Sequence, residues 1–94
     1  MGTERMEVGM LARSKAGHDK DVCYVIWKID KEAVWLTDGR LRPLEKLKRK
    51  NKKHIQIIHY IPEEIQEKLG SQESIRNEDI KHAIKMYTLR GRND

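Results

Sequence analysis

Ninety-four residues allow one small domain with at most a short appendage, and equal shares of charged and apolar residues (37% each) describe a modest core under a heavily charged surface. No segment approaches the ~20 apolar residues of a membrane span, no apolar stretch near the N-terminus marks a secretory signal, and the single cysteine, Cys23, excludes an internal disulfide framework, so a cytoplasmic location is expected. The net charge of +5 is unevenly placed. Residues 1–54 carry 14 Lys/Arg against 8 Asp/Glu, whereas residues 55–94 carry 6 against 7, an asymmetry that points to a polyanionic partner for the first half.

The chain opens with a polar lead-in, residues 1–7. A first strand is expected over 8–12, followed by a basic loop, Lys15 to Lys20, in which Gly17 permits the turn. Residues 22–29 give the strongest strand signal. Strict alternation puts Val22, Tyr24 and Ile26 on one face and Cys23, Val25, Trp27 and Ile29 on the other, and both faces are apolar, as in a central strand. A third strand follows over 33–37. Asp38-Gly39 reads as a hairpin turn, and the chain returns over 40–44 as a short strand weakened by Pro43. A last strand is expected over 55–60. Five short strands with brief turns read as a mainly β domain, a five-stranded SH3-like barrel spanning residues 1–60.

Composition changes at Ile61-Pro62. Pro62 suits the first position of a helix, Glu63 and Glu64 favour its positive end, Ile61, Ile65 and Leu69 repeat at helical spacing, and Gly70 stops the pattern. A second helix is expected from Asn77 as N-cap, with Ile80, Ala83, Ile84 and Tyr87 as its apolar stripe and a polar tail from Thr88. Such a hairpin is too short to stand alone. Residues 61–94 are therefore read as a helical extension packed on the barrel, on a protein partner or on a second copy.

The chemistry is carried by cations. Lys46, Lys48, Arg49, Lys50, Lys52, Lys53 and His54 fall within nine positions, preceded by Arg40 and Arg42; the first loop adds Arg13, Lys15, His18 and Lys20. Lysines at this density suit phosphate contact, and arginines add bidentate contacts or stacking. Trp27 and Trp35 lie in apolar runs and read as packing residues rather than base platforms. His54 and His59 lack a third close ligand, so no metal is expected. No nucleophile stands near a recognisable base, and no Gly-rich phosphate loop is present, so neither catalysis nor a cofactor is expected.

Val8-Gly9, the segment from Arg13 to Lys20, the apolar strand 22–29, Asp38-Gly39, and Leu41-Arg42 followed by the lysine run together resemble the KOW motif. More narrowly, residues 7–59 are similar to the fourteen-e group of large-subunit ribosomal proteins and its small bacterial relatives. That family usually has glycine after the Asp-Lys pair, where this chain has Asp21. The resemblance implies an SH3-like barrel that binds structured RNA, ribosomal RNA above all, and implies nothing for residues 61–94. The expected function is non-catalytic RNA binding through phosphates and shape. The alternatives are a protein-interaction module of the translation or transcription machinery and a DNA-binding SH3-like domain.

Overall fold

Alternating apolar residues build most of the strands, and 3.6-residue spacing builds the helices, in a computed structural model that describes residues 5–71 and 74–90. The elements are β1 (Leu11–Ser14), β2 (Cys23–Ile29), β3 (Ala33–Thr37), β4 (Lys48–Asn51), a 3-10 turn (Lys52–His54), β5 (Ile55–Ile58), α1 (Glu63–Ser71) and α2 (Asn77–Leu89). The five strands form one antiparallel sheet in the order β4-β3-β2-β1-β5. Expectations for residues 1–4 and 91–94, which include parts of the polar lead-in and tail, lie outside the described residues.

The sheet is not closed into a barrel, and the SH3-like barrel expected from the strand count is corrected accordingly. β4 and β5 are its two edges and do not pair with each other. The chain crosses from one edge to the other in the single 3-10 turn, whose polar groups are engaged elsewhere. Lys52 N–H donates to Glu32 C=O (2.9 Å), and His54 C=O accepts from Lys15 N–H (2.8 Å). The two edges are joined in sequence through this corner, and no ladder forms between them.

Each face of the sheet carries its own core. On one face Met10, Ala12, Tyr24, Ile26, Val34, Leu36 and Ile55 are buried, joined by Met6, Ile29, Ile57 and Ile61. The helical hairpin covers the opposite face, where Leu11 and Val25 meet Ile65 of α1 and Ile80 and Ala83 of α2. Each large aliphatic side chain buried in this way contributes about 1.5–3 kcal/mol, which offsets the poor stability of the short helices in isolation. Lys68 Nζ donates to Asp79 Oδ2 (3.1 Å), and His82 contacts Glu64, so polar contacts also join α1 to α2.

The first strand, expected over 8–12, instead spans Leu11–Ser14, and four further local expectations are revised. A bulge between Ile26 and Lys28 inserts Trp27 as an extra residue, and Ile29 therefore falls on the face of Tyr24 and Ile26 rather than that of Val25. Residues 40–44 form no strand. Their backbone is satisfied locally: Arg40 N–H and Arg42 N–H donate to Asp38 Oδ1 (2.8 and 2.9 Å), and Thr37 Oγ1 donates to Arg42 C=O (2.8 Å). The fourth strand is instead Lys48–Asn51, inside the lysine run. The third revision concerns α1, which runs through Gly70 to Ser71. The fourth concerns α2, whose N-cap is Arg76, with its N–H donating to Asp79 Oδ2 (2.8 Å). Asn77 acts as a tether, because its side chain accepts from Leu44 N–H (2.8 Å) and donates to Glu45 (2.9 Å).

Gly39 makes that tether possible. It sits at φ +76°, and a Cβ there would lie 2.6 Å from the Asn77 carbonyl oxygen. Only glycine accepts both the backbone conformation and the close approach of α2.

Candidate functional site

One aspartate organises the first basic loop. Tyr24 OH donates to Asp19 Oδ2 (2.8 Å), and Ser14 Oγ donates to Oδ1 (2.8 Å). Lys50 Nζ, brought across from β4, donates to Oδ1 (3.0 Å) and to Ala16 C=O (3.1 Å). Lys48 Nζ lies 3.9 Å from Oδ2. Burial alone would raise the Asp19 carboxyl. The hydrogen bonds from Lys50, Tyr24 and Ser14, with the Lys50 charge, outweigh it and hold the pKa at about 2. The Tyr24 hydroxyl is pushed above its usual range by burial and by its bond to that carboxylate. Cys23 nearby is a poor nucleophile, its thiol pushed up to about 11 by burial.

This hub decides which of the sequence-predicted cations are available. Lys50 is not: its side chain is 12% exposed and is committed to Asp19. It holds the loop to β4. Lys48 shares its side of the strand and is partly exposed. Arg49 points the other way, over Trp35 (5.7 Å to the ring centroid), with Lys28 on the same ring (4.9 Å). Trp35 thus belongs to neither core cluster and packs between cations of the two flanking strands, whereas Trp27 lies against the helical hairpin.

The loop and the basic run meet at two places. Lys15 N–H bonds His54 C=O, which sets Lys15, exposed on the first loop, beside the exposed Lys53 and His54 and the half-buried Lys52. The second meeting is a cleft of about 550 Å³ in which His18 and Asp19 face Asp38, Leu41 and Arg42 across Lys48 and Lys50. Exposed Lys20 lies on the rising side of the same loop and exposed Lys46 on the turn before β4. Two of the predicted residues stand apart. Arg13 is half-buried within β1, opposite Cys23 and Gln56. Arg40 lines a different groove, with Lys81 and Lys85 of α2.

Among the described residues, no carboxylate lies within 4 Å of the charged nitrogens of Lys15, Lys20, Arg42, Lys46, Lys52 or Lys53. No three His, Cys, Asp or Glu side chains of the described residues converge as metal ligands, and none of the described helices is long and apolar enough to cross a membrane. Sequence reasoning missed Ser14, Asp19 and Tyr24 as a unit. The signal was present as a hydroxyl residue, an acid and a phenol on one strand-loop-strand segment, but the cation that completes it comes from 31 residues away.

A scan of the chain against protein-family models gives no match, and a search of curated proteins gives none either.

Proposed function

We propose that this chain is a non-catalytic RNA-binding protein that grips the phosphates of structured RNA, ribosomal RNA being the first candidate, through its first loop and the 46–54 segment. The observation that carries the reading is the join between Lys15 N–H and His54 C=O, which brings Lys15 of the first loop to the segment of Lys52 and Lys53, three lysines with no carboxylate within 4 Å among the described residues. Phosphate neutralisation by such residues releases counterions and gives affinity with little sequence preference. The likeness to KOW proteins is supported by one backbone angle. Asp21 adopts φ +73°, a conformation that favours glycine, at the position where that family usually carries glycine.

The test replaces Lys15, Lys20, Lys52 and Lys53 with Gln and leaves Lys50 in place, because Lys50 holds the loop. Binding to a structured RNA should weaken, and the slope of log K against log salt should become shallower by about 3 if all four contact phosphate. Duplex DNA and single-stranded RNA serve as comparators. A folded variant with unchanged affinity and unchanged slope for structured RNA would remove this surface from the site.

A further inference from the structure

The cleft beside Asp19 has a composition that phosphate contact alone does not explain. Its two acids are already engaged: Asp19 by Lys50, Tyr24 and Ser14, and Asp38 by the backbone N–H groups of Arg40 and Arg42. The Arg42 guanidinium has no carboxylate within 4 Å among the described residues, and Lys48 makes only a long contact to Asp19. Two aliphatic side chains line the same cleft. Leu41 is 84% exposed and Val22 38%. A single exposed leucine is ordinary on a protein surface. This one sits at the tip of a loop fixed by five hydrogen bonds, between two arginines, on the wall of a cleft of about 550 Å³, within the size range of small-molecule sites. These bonds fix the backbone that carries Leu41, so little backbone entropy is lost when something packs on it.

We infer that this cleft receives one unpaired nucleotide of the RNA, its base against Leu41 and Val22 and its phosphate on Arg42 and Lys48. The inference rests on the RNA reading and specifies its ligand. Bases in a paired A-form helix are out of reach of such a recess, whereas a bulged or looped base can swing out and lie on an apolar side chain. The cleft then distinguishes an irregular helix from a regular one, and the lysines around it hold either.

The experiment uses two RNA hairpins, one fully paired and one with a single bulged 2-aminopurine. Each is titrated against the full chain, Leu41→Ser and the four-lysine variant. The bulged hairpin is expected to bind roughly tenfold tighter than the paired one, the lower part of the range for stacking one base on an aromatic ring, with a change in 2-aminopurine emission. Leu41→Ser should melt like the parent, because the side chain is exposed. It should lose both the preference and the emission change while keeping the salt slope. The four-lysine variant should keep the preference at lower affinity. Equal binding of the two hairpins, or a preference that survives Leu41→Ser, overturns the inference and leaves RNA binding standing. Failure of both hairpins to bind the parent chain overturns both readings.

Discussion

Two loops of this molecule are each built around an aspartate, and they are built differently. The 15–22 loop hangs on Asp19, whose partners are side chains from β1, β2 and β4. The 38–42 loop hangs on Asp38, whose partners are backbone N–H groups two and four residues ahead. The first arrangement is a long-range joint, and it couples a loop to an edge strand. The second is a local turn that closes on itself and needs nothing distant. Their energetic consequences should differ in the same way, because a long-range joint leaves a charge stranded when it is broken, and a local turn leaves only two amides that water can reach.

Removing Asp19 breaks the comparison most sharply. Asp19→Ala leaves the Lys50 ammonium without its counter-charge at a site where its side chain is 12% exposed, and the Tyr24 hydroxyl loses its acceptor, whereas Ser14 Oγ can still donate to Ala16 C=O (3.0 Å). A loss of about 3 kcal/mol is expected in denaturant unfolding. The same joint should appear in acid. The folded carboxyl is held at about 2 against an ordinary 3.8, so its contribution is complete above about pH 4 and is lost as the pH falls through the folded value. That contribution amounts to about 2 kcal/mol. Asp19→Asn should flatten this part of the stability–pH curve, and an unaltered curve would show that Asp19 is not the group responsible.

The second loop depends on a close approach more than on its carboxylate. Gly39→Ala would drive a Cβ to 2.6 Å from the Asn77 carbonyl oxygen and should cost about 2 kcal/mol by displacing the start of α2. Asp38→Ala, which removes one acceptor from two partly accessible amides, should cost only about 1 kcal/mol. If thermal melting ranks Asp38→Ala level with Asp19→Ala, the distinction between joint and turn fails. The smallest effect has the opposite sign. Asp21 sits at φ +73°, and Asp21→Gly should raise stability by about 0.5 kcal/mol by removing that strain, less the entropy glycine restores to the unfolded chain.

What could be read from the sequence follows the range of the forces involved. Strands β2 and β3 and both helices announce themselves, because apolar periodicity is a local property and their faces are buried. Strand β4 does not. Lys48, Arg49 and Lys50 carry no apolar alternation, and their strand character comes from pairing with β3 and from Asp19. The misplaced Ile29 has a comparable cause, since a bulge at Trp27 shifts the register without altering composition. Barrel closure was an inference from the number of strands, and it failed at the 3-10 turn, where the hydrogen bonds of Lys52 and His54 go elsewhere. The same division holds at the candidate site. The cations of the first loop and of the 46–54 run were visible, whereas the fact that Lys50 is already occupied, and that Trp35 carries Arg49 and Lys28, depended on contacts between strands.

The placement of the lysine run on an edge strand has one more consequence. Strand β4 is bonded to β3 along one side and to no strand along the other. An open strand of this kind invites a second molecule to extend the sheet, the first step towards aggregation. Here three of its four residues are cations, and a second copy aligned along it would bring like charges together and strip them of water. The charges of this strand therefore oppose edge-to-edge pairing of two copies along it. Uncharged β-branched replacements in that strand would remove this repulsion and favour sheet extension from one copy to the next.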